Sequence, residues 1–373
     1  MVDADRLKSS WGLVAAHGEQ VALYFYSHLF LAHPEVRELF PIAMAAQRDK
    51  LVKALGSVIS NVDNLDPVIP YLQALGRDHR KFGALREHYP AVGNALLATL
   101  EHFSGPSWGP ELATDWRQAY DLVAKVMADA ADDAAHVTPA WWDGTVVEHR
   151  RIGTNAAILT VAPHARLEYL PGQSVTVSSP WRPKVWRYYS PANAPRPDGT
   201  IDLHVKLVDG GLVSTALVDL TRNGDVLKLG PPIGDGLVLR ESERPVVMVA
   251  GGSGLAPLKA LIDQLTATPF RRRVRLYWGA EHAGDLYDLA ALQRLASAHD
   301  WFDLTACVAE GRPAPGIHVG NPVDLAMRHG DVAAGDVYIC GPVGMVGFAR
   351  SALARAGANP ASIYFDQWDE EKT

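Results

Sequence analysis

Apolar residues recur every three to four positions through the first third of the chain. Val21, Phe25 and Leu29 form one such stripe, and Leu51, Leu55 and Ile59 form another. Val92, Leu96, Leu100 and Phe103 make a third, and Leu112, Trp116, Tyr120, Val123 and Met127 continue the pattern. This is the period of helices with one buried face. Pro34, Pro41, Pro67, Pro70, Pro90, Pro106 and Pro110 fall at the joints between stripes, where a missing N–H is tolerated. Residues 1–137 are therefore predicted to be a mainly α domain.

The period changes after Asp132-Asp133-Ala134-Ala135-His136, and Thr138 to Trp142 reads as a short linker. Ile201, Leu203, Val205 and Leu207 alternate with Asp202, His204 and Lys206, the pattern of a half-buried strand. Turn pairs recur between such runs, among them Pro171-Gly172, Gly210-Gly211 and Gly224-Asp225. Residues 138–242 are predicted to form a small antiparallel β-barrel.

From residue 243 onward, strand and helix alternate. Val246 to Ala250, Val274 to Trp278 and Val337 to Cys340 read as buried strands. Ala256 to Leu265, Asp288 to Ala298 and Val343 to Ala356 read as the helices between and after them. Residues 243–373 are predicted to be an α/β domain with a parallel sheet. The expected fold class is thus multi-domain: all-α, then antiparallel barrel, then parallel α/β.

Composition adds exclusions. A chain of 373 residues has room for three cores, and its net charge of -7 argues against a nucleic-acid face. Cys307 and Cys340, the 2 cysteines, cannot build a disulfide framework. No signal-peptide pattern opens the sequence and no apolar run approaches the roughly 20 residues of a membrane span. A cytoplasmic, monomeric protein without an integral membrane segment is expected.

Three features carry chemistry. Gly251-Gly252-Ser253-Gly254 links a strand to a helix, so the backbone there can approach a phosphate at a helix N-terminus. Cys340-Gly341-Pro342 makes a second strand-to-helix turn at the carboxyl edge of the same sheet, where ligands of open α/β sheets bind. In the helical third, Leu72, Leu75, His79 and Phe82 share one face, which points an imidazole into apolar surroundings. A neutral imidazole so held can ligate a haem iron from one side.

Arg187-Tyr188-Tyr189-Ser190, flanked by Pro171-Gly172-Gln173 and Gly210-Gly211-Leu212-Val213-Ser214, resembles the ferredoxin–NADP reductase family over about residues 145–373. The resemblance implies that Arg187 neutralises the FAD pyrophosphate, that Tyr189 packs on the flavin and that Ser190 hydrogen-bonds it. It also implies that Ser214 caps a short helix facing the FAD phosphates. Phe25 to Phe30, Pro34 to Phe40, Gln47, Leu51, His79 and Tyr89 resemble the globin part of the flavohaemoglobin family. That likeness extends the match to nearly the whole chain. It implies a haem b ligated by His79 through its outer nitrogen, with Tyr26 and Gln47 on the distal side. Leu51 would gate ligand access, Phe40 would pack on the porphyrin, and Tyr89 would lie behind the histidine.

With haem b, FAD and NAD(P)H as cofactors, the implied activity is nitric oxide dioxygenation, O2 and NO giving nitrate, in the service of NO detoxification. A haem/flavin NAD(P)H oxidase or peroxide/quinone reductase is the second reading, and an oxygen- or redox-sensing globin the third. Two departures from the family pattern matter. The position of the usual proximal Glu falls on Ala131, with Asp132 and Asp133 turned about 100° and 200° around the helix. The aromatic after P-G-Q is Ser174, and Gln367 stands at the usual C-terminal aromatic position, leaving Trp368 or Phe365 to cover the flavin. Arg271 to Arg275 leave the choice between NADH and NADPH open.

Overall fold

The computed structural model describes residues 2–64, 66–268, 272–310, 315–329 and 332–366. It divides into two compact units, Met1–Ala140 and Trp141–Thr373.

The first unit is helical: α1 Ala4–Ala15, α2 Glu19–Ala32, α3 Ala45–Ser60, α4 Ile69–His79, α5 Tyr89–Ser104 and α6 Pro110–Ala135. Pro70, Pro90 and Pro110 each sit in the first turn of a helix, where the missing N–H donor would have had no intrahelical acceptor. The expected stripes form the core, with Val21, Phe25, Leu29, Ile59, Leu96, Leu100 and Trp116 all buried. Helix α4 lies unusually close to α6. A Cβ on Gly76 would stand 2.1 Å from the Met127 carbonyl oxygen, so only glycine permits this approach. Gly93 likewise admits the ring of Tyr120, whose hydroxyl donates to the Tyr89 carbonyl at 2.6 Å.

The second unit opens with β1 Trp142–Ile152, β2 Ala156–Pro163, β3 Val175–Ser178, β4 Arg187–Tyr189 and β5 Ile201–Lys206. After the single turn α7, Leu212–Thr215, comes β6 Val226–Leu229. These strands pair antiparallel in the order β4-β3-β6-β1-β2-β5. A bridge between Pro191 and Leu203 joins the two ends, so the sheet is a nearly closed barrel. Ile201, Leu203 and Val205 point into its core as their alternation requires.

A parallel sheet follows, built from β7 Val246–Gly251, β8 Val274–Ala280, β9 Phe302–Val308, β10 Ile317–Val319, β11 Asp336–Cys340 and β12 Ile363–Phe365. Its order is β10-β9-β8-β7-β11-β12. Helices α8 Leu255–Ala267, α9 Leu289–Ala298, α10 Pro322–Arg328 and α11 Val343–Arg355 alternate with the strands. Strand β7 explains the unbroken apolar run: Val246, Met248 and Ala250 belong to one buried cluster, Val247 and Val249 to the other. Among the described residues, no helix is long and apolar enough to cross a membrane.

Candidate functional site

His79 is the last residue of α4, and Phe82 lies beyond it in a separate 3-10 turn, Arg80–Phe82. Its Nδ1–H donates to the Leu75 carbonyl at 2.7 Å. That bond fixes the tautomer and leaves the Nε2 lone pair outward. Burial holds the imidazole below its usual pKa, against the opposing pull of the Leu75 bond and the Asp78 charge. The ring is therefore neutral at pH 7, and among the described residues nothing bonds its second nitrogen. Asp78 and the nearly buried Lys81 form an ion pair beside it at 2.6 Å.

Tyr26, from α2, is 6% exposed. Burial raises its pKa, so the hydroxyl keeps its proton and is a donor. It donates to the Gln47 backbone carbonyl at 3.4 Å, a long and weak bond that a better acceptor could replace. The Phe40 ring meets Tyr26 edge-on with centroids 5.5 Å apart, and Phe30 packs on both. Leu51 joins the same apolar cluster from α3. Arg37 donates to the carbonyls of Phe40 and Pro41 at 3.2 and 3.1 Å, which stiffens the turn that presents Phe40. The structure thus brings Tyr26, Phe40, Gln47 and Leu51 together.

Tyr89 packs in a different cluster, with Leu72, Leu75 and Met127 from α4 and α6. Burial raises its pKa, and among the described residues no group hydrogen-bonds its hydroxyl. Arg86, three residues earlier, instead clasps α6 through Asp129 at 2.7 Å and Asp132 at 2.6 Å. Sequence reasoning overlooked Arg86. Its signal was a cation one helical turn before Tyr89, opposite two acids three apart.

In the barrel, the Arg187 guanidinium donates to the Trp186 carbonyl at 2.9 Å and meets no carboxylate among the described residues. Tyr189 beside it is deeply set, and burial raises its pKa. Ser190 is 7% exposed and shares a 2.9 Å hydroxyl contact with Ser174, itself 3% exposed. The position expected to lose an aromatic ring has gained a hydroxyl pair. Ser214 departs from expectation. The cap of α7 is Gly211, and Ser214 lies inside the turn, donating to the Gly211 carbonyl at 3.2 Å and accepting from the Val208 N–H at 3.2 Å. A side chain at the third helical position can reach back to the cap, whereas a true cap must precede the helix.

The two strand-to-helix turns of the parallel sheet meet. A Cβ on Gly254 would fall 2.3 Å from the Cys340 carbonyl oxygen, and one on Gly251 would fall 2.6 Å from the Met345 sulfur. Gly341 is equally crowded, against Met345 and Gly251, and Pro342 caps α11. Of glycines 251, 252, 254 and 341, Gly252 alone, at φ +54°, faces open space. Ser253 follows it in the 3-10 turn that leads into α8. Close packing thus requires Gly251 and Gly254, and chain direction requires Gly252.

Three further residues support this loop. The Trp278 indole N–H donates to the Gly252 carbonyl at 3.0 Å. Tyr287 meets Trp278 edge-on at 5.4 Å, and its hydroxyl pairs with His204 Nδ1 at 3.0 Å. His204 is 5% exposed, and burial lowers its pKa to about 3. It belongs to strand β5, so barrel and glycine loop are tied by a continuous polar and aromatic contact. At the C-terminal end, Arg350 covers the ring of Phe365 at 3.9 Å. Trp368 lies outside the described residues.

Three family models match in chain order: Globin over residues 23–127, Oxidoreductase FAD-binding domain over 143–236 and Oxidoreductase NAD-binding domain over 248–351. The chain is a globin joined to an FAD- and NAD-binding oxidoreductase module. Along 96% of its length it is 28% identical to a flavohemoprotein of Bordetella parapertussis, covering 95% of that relative. A flavohemoprotein of Deinococcus radiodurans is 29% identical over 93% of this chain and 91% of its own. A flavohemoglobin from Malassezia yamatoensis, solved with bound FAD and heme, shares the fold with a TM-score of 0.74, 17% identity and 97% coverage of both chains. Over nearly its whole length the chain is thus similar to flavohemoproteins, with the same three domains in the same order.

Proposed function

We propose that this oxidoreductase is a nitric oxide dioxygenase, in which NAD(P)H supplies electrons through FAD to a haem b where NO and O2 become nitrate. The observation that carries the reading is the neutral, outward nitrogen of His79 in a chain that also matches oxidoreductase FAD- and NAD-binding domains. The residues present fit both groups. His79 offers an axial nitrogen lone pair in apolar surroundings, and Arg187 offers a guanidinium without a carboxylate partner to a pyrophosphate.

When bound, the haem supplies a site for a diatomic ligand, and the flavin turns a two-electron donor into a source of single electrons. The side chains do the rest. Tyr26 keeps its proton and offers it to whatever negative charge develops on the ligand, a donation strengthened by the low dielectric around Phe25 and Phe40. Gln47 sets the resting direction of that proton through its carbonyl, and its side chain assists from the same helix. Leu51 and Phe40 exclude water and admit a small uncharged second reactant. Tyr89 and the Arg86 clasp hold the segment behind His79, while Gly76 fixes the depth of α4. In the reductase, Arg187, Tyr189, Ser190 and the turn containing Ser214 hold FAD, and Gly251 to Gly254 with Cys340 to Pro342 receive the nucleotide.

Anaerobic mixing of the ferrous, oxygen-loaded holoenzyme with NO tests this. One nitrate per protein is expected, and oxygen-loaded protein that survives the mixing excludes the reading. The second reading, an NAD(P)H oxidase, draws on the Tyr89 hydroxyl having no acid partner among the described residues, and it requires NADH-driven oxygen consumption that NO does not accelerate.

A further inference from the structure

Leu203 and Val205 of β5 point into the barrel core, so alternation turns the ring of His204 the other way, toward the parallel sheet. Among the described residues only its Nδ1 has a partner, the Tyr287 hydroxyl at 3.0 Å, and the buried Nε2 has none. Two arrangements of protons are open to this pair. If Nδ1–H donated, the Tyr287 proton and the Nε2 lone pair would both be left unmet. If Tyr287 donates, Nε2–H alone is left. Burial of the Tyr287 hydroxyl raises its pKa, so that proton is present to be given. The arrangement with fewer unmet groups makes Nε2–H a buried donor without an acceptor in the barrel or the sheet.

The same ring lines a cavity of about 10 Å³, together with Gly252, Ser253, Asn155, Lys206 and Asp285. That is close to the space one water needs, and the lining supplies the polar partners it requires. Two routes thus lead from one imidazole to the Gly252 turn. The first runs through Tyr287, which meets Trp278 edge-on at 5.4 Å, to the Trp278 N–H, which donates to the Gly252 carbonyl at 3.0 Å. The second crosses the cavity.

Gly252 is where the loop needs holding. Its φ of +54° turns the chain from β7 into the 3-10 turn before α8, and a Cβ there would meet nothing within 4 Å. Packing around the α-carbon does not fix this residue, so hydrogen bonds to the peptide must.

We propose that His204 is a positioning residue for nucleotide binding: through Tyr287 and Trp278, and through one water in the cavity, it holds the Gly252 turn in its binding shape. The water accepts from Nε2–H and donates to the loop. The role rests on the reductase reading above and adds to it a residue that acts from the barrel.

The test titrates the full-length, FAD- and haem-loaded protein calorimetrically with NAD+ and with NADP+, following the tighter of the two in each variant. His204→Leu removes both routes and is expected to raise Kd about tenfold. Tyr287→Phe cuts the first route, and His204→Asn, whose amide can still pair with Tyr287, cuts the second; each should raise Kd about threefold. Adding Tyr287→Phe to His204→Leu should cost nothing more, because the imidazole through which Tyr287 acts is already gone. With the matching reduced nucleotide and ferricyanide under anaerobic conditions, the losses should fall on KM and not on kcat. Flavin and Soret absorbance report that each variant is intact, and the two milder substitutions carry the test if His204→Leu is not. An unchanged Kd in His204→Leu or in both milder variants, or losses that add in the double variant, overturns the proposal. A parent that binds neither nucleotide removes the reductase reading itself, and the role of His204 falls with it.

Discussion

The globin unit and the reductase unit build their sites in opposite ways. In the globin, the proposed chemistry rests on side chains spread over separate helices: Tyr26 on α2, Gln47 and Leu51 on α3, and His79 on α4. The backbone there only sets spacing, through crowded glycines at 76 and 93. In the reductase, much of the proposed site is the backbone itself, a glycine loop at a sheet edge braced by Trp278, Tyr287 and His204. Side-chain sites should therefore fail locally and chemically when cut, and backbone sites should fail through packing.

The largest test of this contrast removes one anchor from each unit. His79→Ala is expected to abolish the Soret band and NO consumption while leaving NADH–ferricyanide activity in place. Arg187→Ala is expected to do the reverse, losing flavin absorbance and all NADH-driven activity while the Soret band persists. Absorption spectra and the two assays on each variant decide it. Loss of both chromophores from either substitution would show that the units are not independent.

Next in size is Tyr26→Phe. The ring stays buried among Phe25, Phe30 and Phe40, so folding should be little changed. Its hydroxyl gives up only a 3.4 Å bond to a carbonyl. NO consumption is expected to fall about 100-fold, the usual cost of removing a donor aimed at developing charge. Stopped-flow rates with unchanged melting temperature would match a side-chain site. A rate within twofold of the parent would remove Tyr26 from the chemistry.

Gly76→Ala and Gly254→Ala probe the backbone on each side. Both place a carbon within 2.3 Å of a carbonyl oxygen, which forces helix or loop to move. Each is expected to cost about 1–3 kcal/mol of stability, read as a lower denaturant midpoint. Their functional signatures should differ. Gly254→Ala should raise the KM for NADH, whereas Gly76→Ala should weaken haem retention with NADH–ferricyanide turnover unaltered.

These contrasts also explain what was legible in the sequence. Period 3.6, then period 2, then strand–helix alternation gave the fold class, because each domain buries its faces in a different rhythm. His79 stood out as a candidate because an imidazole on an apolar face is chemically conspicuous. The Ser174–Ser190 hydroxyl pair was not legible, since 16 residues of turn and strand separate them and only antiparallel pairing brings them together. Nor was the role of Ser214, because the capping position depends on where the turn begins, one residue before Leu212. The union of the two glycine turns was hidden for the same reason. Gly254 and Cys340 meet only because β11 returns beside β7, which no local pattern encodes.

The smallest effect at neutral pH comes from His204, and it appears only in acid. Burial lowers its folded pKa to about 3, from an ordinary 6.5. The unfolded chain therefore binds a proton near pH 6.5 that the folded chain refuses until much lower pH. The neutral-histidine contribution is fully present above pH 6.5 and is lost progressively as pH falls from there toward 3. Each unit of pH in that window costs up to about 1.4 kcal/mol from this group alone. His204→Asn keeps an amide that can pair with Tyr287 but does not titrate, so its stability should fall less steeply between pH 6.5 and 4. Urea unfolding followed by flavin fluorescence across that range measures the slope. If parent and variant lose stability in parallel, acid sensitivity belongs to other groups, and the contact between β5 and the glycine loop is not where protons enter.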